Sequence, residues 1–390
     1  MKKSNEKNVV IFYLLAFLQG LVFTSSIATL YRTANGITLF EIGIIEVFFS
    51  LFIIMFELPF GYIGDRIGYK KTMLIANGVY FLSKVVFWRA ESFGAFLFER
   101  LLLALSVSGL SGCDSSLLYL SVDSEKAASV FGKQSMFGVL GMVVSSICFT
   151  FAFHANMDYA AFATIIAFFL AFICTMFLDD IRDTDEKKVS LRNVWKSFIK
   201  NKQILFVLAA SVLLTETTHT LTIFYNQLQY ERIGIPQKYY GIIFMLLQLV
   251  GMSCGFLGNI TKHISKEKLV YILFGTAAVS SGGLIFSEDI YSSMILLMIL
   301  SCVESMYFPI LTAIENESVE VSARASMMSL YSLIKNVMIM VTSFSFGKAS
   351  DMSLQNAYYL AAAFCIIGFV LFYIWNRGKQ AGGTPNPHIS

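Results

Sequence analysis

The chain has 390 residues, of which 56% are hydrophobic, 15% aromatic and 14% charged, with a formal net charge of +3. A water-soluble chain carries about a quarter charged residues, so an ordinary soluble fold is excluded, and so small a net charge gives no basis for a nucleic-acid partner. The six cysteines, Cys113, Cys148, Cys174, Cys254, Cys302 and Cys365, are scattered through apolar stretches, which excludes a disulfide framework and a metal motif alike.

A membrane-crossing helix needs about 20 apolar residues. In chain order that length predicts spans over 9–31, 40–62, 72–90, 93–120, 128–153, 159–178, 204–229, 239–260, 268–287, 290–314, 326–347 and 357–376. The first follows Lys2, Lys3 and Lys7 but is too long for the apolar core of a signal peptide, and it reads as a span. Twelve spans put both termini on one side. The loops assigned to that side hold Arg66, Lys70, Lys71, Lys126, Lys133, the basic run within 182–202, Lys262, Lys266 and Lys268. The opposite loops hold only Arg32, Arg89, Arg232, Lys238 and Lys348. The basic side is cytoplasmic by the positive-inside rule, so a plasma-membrane protein with both termini in the cytoplasm is expected.

The one long connection, 179–203, is polar and divides the spans six and six. Within it Val194, Trp195, Phe198 and Ile199 share a helical face opposite Arg192, Lys196 and Lys200, a pattern that suits a short interfacial helix or a solvated linker. The expected organisation is therefore a six-helix bundle over 1–178, the linker 179–203, a second six-helix bundle over 204–377, and a disordered tail over 378–390.

After the second span the chain reads Gly61-Tyr-Ile-Gly64-Asp65-Arg66-Ile-Gly68-Tyr-Lys70-Lys71. About half a chain later, after the eighth span, it reads Gly255-Phe-Leu-Gly258-Asn259-Ile-Thr-Lys262. Corresponding elements in two halves mark transporters built from internal repeats. So short a turn between helices needs glycine where the backbone takes left-handed angles or two helices approach closely.

Residues Gly61, Asp65, Arg66, Gly68 and Lys70 resemble the signature between the second and third helices of the major facilitator superfamily, G-x-x-x-D-R/K-x-G-R-R/K, with Tyr69 at a usually basic position. Glu57-Leu-Pro59 and Gly112-Cys-Asp114-Ser-Ser-Leu-Leu-Tyr119 resemble a bacterial drug- or metabolite-efflux branch of it. The resemblance extends over essentially the whole chain. It implies an all-α integral membrane fold of twelve transmembrane helices in two pseudo-symmetric six-helix bundles, with spans 1, 4, 7 and 10 around a central cavity. It further implies that Asp65 and Arg66, with Gly61, Gly64, Gly68 and Lys70, form a gating latch, and that the family's usual monomer applies. Glu57 and Asp114 read as partners of the latch arginine. Asn259 stands where a second latch would need an acid.

An ionisable group at the bilayer centre costs about 2.5–3.5 kcal/mol on insertion scales, so those within spans are functional candidates. Glu216 and His219 lie in span 7, Glu304 in span 10 and Lys335 in span 11; Glu46, Lys84, Glu99, Arg100 and Asp114 lie in the first half. Helical spacing places Glu216, Thr220, Ile223 and Gln227 on one face of span 7, Arg100 to Asp114 along one side of span 4, and Gln19, Phe23 and Ser26 on span 1. Glu216, Glu304 and His219 are the expected proton carriers. Arg100 matches the fourth-helix arginine that proton-coupled relatives use to influence a carboxylate, although Ala104 replaces a glycine of that motif. Gln19, Phe23, Phe224, Tyr225, Gln227, Tyr307, Tyr331 and Lys335 are expected to line the solute cavity. Glu304 and Lys335 would also suit a structural ion pair, Lys84 reads as snorkelling toward Trp88 and Arg89, and Glu46 suits either an outer gate or a basic neighbour.

Aromatic and acidic cavity residues suit an amphipathic solute, which favours a proton-coupled exporter of small drugs, antibiotics or metabolites. The antiporters' proline-glycine element is missing from span 5, where only Gly138 and Gly141 stand, so import of a charged nutrient by proton symport is the alternative. A non-transporting sensor or scaffold is the reading from another class. No nucleophile–base set, metal motif or nucleotide loop appears, so neither an enzyme nor a cofactor is expected; the partners are a small-molecule substrate, protons and membrane lipids.

Overall fold

The computed structural model describes residues 5–111, 113–122, 124–181, 203–251, 263–317 and 324–381; for residues 58, 61–65, 124–128, 312–313, 316–317, 324–326, 328–329 and 379–381 the backbone alone is described. All regular structure among them is helical: α1 (Glu6–Gly20), α2 (Ala28–Ala34), α3 (Leu39–Ile67), α4 (Tyr69–Arg89), α5 (Phe93–Leu110), α6 (Cys113–Leu120), α7 (Ser124–Cys148) and α8 (Met157–Met176), then α9 (Ile204–His219), α10 (Asn226–Arg232), α11 (Tyr240–Gly251), α12 (Lys266–Phe286), α13 (Ile290–Glu317), α14 (Arg324–Met352) and α15 (Leu354–Ala381). Among the described residues ten stretches are long and apolar enough to cross a membrane. The other two expected spans are α4, diluted by Lys70, Lys71, Lys84 and Arg89, and α11, which reaches Gly251 where the described residues pause. The expected interfacial helix of the linker and the second motif copy at Gly255, Gly258, Asn259 and Lys262 lie outside the described residues.

Beside an apolar core, the protein buries many small polar side chains and turns large apolar ones outward. Asn8, Thr72, Asn77, Ser83, Thr164, Thr175, Ser211 and Thr217 are buried, while Phe151, Val279 and Phe286 face outward. In hydrocarbon, apolar side chains gain nothing by leaving the surface, whereas hydroxyls and amides need partners, so small polar groups collect between helices.

Spans expected as single rods are interrupted. The first stops at Gly20 and resumes as α2. The fourth breaks at Ser111, which takes extended angles before α6. The seventh passes through a π-helical turn at Thr220–Phe224, and the tenth carries Pro309. These include the four helices that the family resemblance places around the cavity, though span 5 also ends in a π-helical turn at Phe149–Phe153 and span 2 carries Pro59; backbone irregularity at membrane depth is tolerated where protein or a water-filled cavity surrounds it. The single polar faces expected on spans 1, 4 and 7 therefore do not persist: each break turns the following residues to a new direction.

Contacts divide the chain into two units, Met1–Glu186 with Tyr230–Gln248, and Lys187–Gln229 with Leu249–Ser390. In the first, Phe12, Leu15 and Leu18 of α1 form a core with Met73, Leu117, Leu118 and Ala171. There α1 and α7 touch backbone to backbone: a side chain on Gly20 would strike the Gly138 carbonyl, and one on Gly141 the Phe17 carbonyl. The span 5 glycines thus pack against span 1. In the second unit Gly368 of α15 admits the Phe274 ring beside the Ala210 carbonyl.

One end of the first unit is tied by side chains. Asn8, fully buried, accepts the Asp179 N–H (2.8 Å) and donates to the Asp179 carbonyl (3.1 Å) and to Ser121 Oγ (3.0 Å). Lys7 pairs with the Asp179 carboxylate at 2.7 Å and Asn5 donates to it at 3.2 Å; these two donors hold that carboxyl below its usual range. The tie fixes the point where the linker leaves α8.

A single residue, Gly68, joins α3 to α4. Its φ of 97° and ψ of 150° fall in a region essentially restricted to glycine, which meets the need for glycine inferred from the motif. Gly68→Ala is expected to cost about 1–3 kcal/mol, seen as a lowered unfolding midpoint in detergent. An unchanged midpoint would mean the turn relaxes without strain.

Candidate functional site

The second unit brings two of the predicted proton carriers together. Helix α9 ends at His219 because the next five residues form a wider turn, closed by Tyr225 N–H donating to the Thr220 carbonyl at 2.9 Å. Threonines line this turn, and their hydroxyls bond back to carbonyls one turn earlier, Thr218 to Leu214 at 3.0 Å and Thr222 to Thr218 at 2.8 Å. Facing the turn, α13 presents Glu304. His219 Nδ1 lies 3.2 Å from Glu304 Oε1, and the Thr222 hydroxyl lies 3.1 Å from Oε2. His219 is 44% exposed and Glu304 31%, so the pair is reachable from outside the protein. The Phe224 ring stands edge-on to the imidazole at 5.7 Å. Glu216 sits partly buried one turn before His219, with contacts of its own.

Of the expected cavity residues in this unit, Phe224 is partly exposed, whereas Tyr225, Gln227, Tyr307 and Tyr331 are buried. Tyr225 donates to Ser350 Oγ at 2.9 Å, the Gln227 amide donates to the Ile223 carbonyl at 3.0 Å, and the Tyr307 hydroxyl meets Ser211 Oγ at 3.0 Å. Lys335 pairs with Glu315, at 2.9 and 3.1 Å from its two oxygens. This corrects the expected Glu304–Lys335 pairing: α13 extends past the predicted end of span 10 at residue 314 and carries a second carboxylate within reach of α14.

In the first unit Arg100 takes Glu46 as its partner, with Nη2 2.5 Å from Oε1. Arg32, at the end of α2, lies 3.8 Å from Glu46 and 4.0 Å from Glu99. Lys84 corrects the snorkelling expectation: its ammonium turns back over the Tyr80 and Phe168 rings, at 5.0 and 5.2 Å, while Arg89 alone stacks on Trp88. Gln19 donates to Asn77 at 2.8 Å, and Phe23 packs against Phe153 with its N–H donating to Thr164. Gln19, Asp114 and Gln134 line a cavity of about 20 Å³, room for one water.

The latch reading is also revised. Asp114 accepts from the Ser115 N–H at 2.6 Å and makes no ion pair with Arg66, which is exposed. Glu57 Oε2 is buried without a hydrogen bond to a described residue. The break at Ser111 puts Asp114 on a separate short helix, α6. Gly61, Gly64 and Asp65 lie within α3, and Lys70 in the first turn of α4 is partly buried.

Sequence reasoning missed Glu315, Thr222 and the inward course of Arg32. The run Thr217-Thr218-His219-Thr220-Leu221-Thr222 inside an apolar span was the available signal for Thr222. Among the described residues no three His, Cys, Asp or Glu side chains gather as metal ligands would.

Comparisons agree on one fold. The chain is 23% identical over 95% of its length, and 96% of the other's, to an uncharacterized MFS-type transporter, YxaM, of Bacillus subtilis (strain 168). Among solved structures it resembles the nucleoside transporter NupG, with a TM-score of 0.75 at 15% identity over 95% of this chain and 99% of that one. It also resembles a D-xylose-proton symporter, with a TM-score of 0.72 at 12% identity over 95% and 98%. The profile described as the Major Facilitator Superfamily matches residues 9–343, and with helices of this number, apolarity and pattern of interruption, the chain is a multi-pass membrane protein belonging to that superfamily of transporters.

Proposed function

We propose that the protein is a proton-coupled secondary transporter that exports small amphipathic molecules by alternating access between its two helix bundles. In this reading it acts as a monomer in the plasma membrane with both termini cytoplasmic. The observation that carries the proposal is the contact of His219 and Thr222 with Glu304. A carboxylate between an imidazole and a hydroxyl has polar neighbours that can follow its change of charge, and imidazole is the side chain whose ordinary titration falls between pH 5 and 8. Both groups are partly exposed, so a proton can arrive and leave. A proton crossing the full membrane potential releases about 2.3 kcal/mol per 100 mV, enough to drive uphill exchange when coupled. Glu216, one turn away, is the candidate next station for the proton.

Import of a charged nutrient by symport is the second reading, favoured by the three cations Arg32, Lys84 and Arg100 in the first unit. The test is substrate-driven proton movement in liposomes, followed with a trapped pH-sensitive dye. Glu304→Gln should reduce proton flux at least tenfold while the protein still elutes as a folded monomer. Influx or efflux of protons relative to solute decides between the two directions. Full proton flux in the variant would remove Glu304 from the coupling path.

A further inference from the structure

Five ionisable side chains gather at the end of the first unit opposite Gly68: Arg32 of α2, Glu46 of α3, Lys84 of α4, and Glu99 and Arg100 of α5. Their charges do not balance. Glu46 and Glu99 offset two cations, and the third, Lys84, has no carboxylate within ion-pair distance among the described residues and rests on aromatic faces instead. Nor are the hydrogen-bonding groups satisfied. The Arg32 side chain is 3% exposed, yet its Nε and Nη1 make no hydrogen bond among the described residues. Its two carboxylate neighbours stand at 3.8 and 4.0 Å, beyond hydrogen-bonding reach. Arg100 Nε is likewise buried and unbonded, as is the carboxylate oxygen Glu99 Oε2, 3.9 Å from it and 4.0 Å from Arg32 Nη2. Rings of Phe87 and Phe96 flank the Arg32 guanidinium at 5.7 and 6.0 Å.

Unbonded buried N–H groups and an uncompensated cation in a low-dielectric region are both costly, and one bound anion relieves both. Guanidinium donors are suited to two oxygens of a carboxylate or phosphate. Glu46 and Arg100 keep 18% and 13% of their side-chain exposure, which leaves a way in. We infer that this cluster is a binding subsite for one anionic group, carboxylate or phosphate, of the transported solute, seated against Arg32 and drawn by the charge of Lys84. The inference rests on the transport reading and narrows it to solutes that carry a negative charge.

Equilibrium binding to the full-length protein in detergent tests this apart from transport. Thermal unfolding would be followed in titrations with benzoate, phenyl phosphate, benzylamine and benzyl alcohol. Benzoate or phenyl phosphate, whichever fits the subsite, should raise the midpoint, and the two other compounds should not. Lys84→Met should weaken anion binding at least tenfold, and Lys84→Arg should retain it. Absence of an anion-dependent shift, an equal shift with benzyl alcohol or benzylamine, or full anion affinity in Lys84→Met overturns the subsite. Intact proton flux through Glu304 together with no anion binding sinks this inference alone, whereas anion binding without any flux sinks the transport reading alone.

Discussion

Glu46→Ala is expected to lower stability by about 3–5 kcal/mol, the usual cost of leaving one member of a buried pair uncompensated. Arg100 Nη2 sits 2.5 Å from Glu46 Oε1, and both side chains are less than a fifth exposed. Lipid cannot hydrate the stranded guanidinium, and Arg32 loses its own neighbour at 3.8 Å in the same step. Replacing both partners, Glu46→Met with Arg100→Met, should recover most of the loss, because the pair's attraction offsets a desolvation cost that disappears with it. Unfolding midpoints for Glu46→Met, Arg100→Met and the double variant, measured in one detergent, give the coupling directly. A double variant as unstable as Glu46→Ala would mean that side-chain volume between α3 and α5, not charge, holds this region.

Lys335→Met should cost about 1–3 kcal/mol, because it takes the Lys335 ammonium from both oxygens of Glu315, whose side chain is 2% exposed. Glu315→Gln in that background should restore much of the loss. Glu304→Gln in the same background should be additive to within about 0.5 kcal/mol, as separated sites generally are. Eleven residues part Glu304 from Glu315 on α13, about 16 Å at helical rise. Strong coupling between residues 335 and 304 would reinstate the pairing that spacing alone suggested.

That pair shows where the sequence stops being informative. Apolar length found the spans, because the bilayer sets one scale for all of them. The glycine of the first motif was legible because one backbone conformation, seen at Gly68, admits no other residue. His219 and Glu304 were each legible as candidates because ionisable groups are rare in lipid; their meeting was not. Partner choice was not legible. A span end misjudged by a few residues hid Glu315, and a helix assumed continuous aligned Gln227 with Glu216, although the turn at Thr220–Phe224 separates them. Arg32 counted as a loop charge because its position was known and the course of its side chain was not.

The π-helical turn also bears on how such a chain tolerates change in length. It holds one residue more than regular helix needs, so a single deletion between Thr220 and Phe224 would leave hydrogen bonding intact and convert the segment to ordinary α-helix. A π turn closes with five residues what an α turn closes with four, so the residues on either side would keep their directions, with the Tyr225 hydroxyl still toward Ser350 and His219 in place. A regular helix shortened by one residue rotates everything beyond the cut by about 100°; this one would change only the side chains inside the turn, Thr222 beside Glu304 among them. Gain and loss of that one residue offers homologues a discrete route to a different solute, with no point substitution at the site itself.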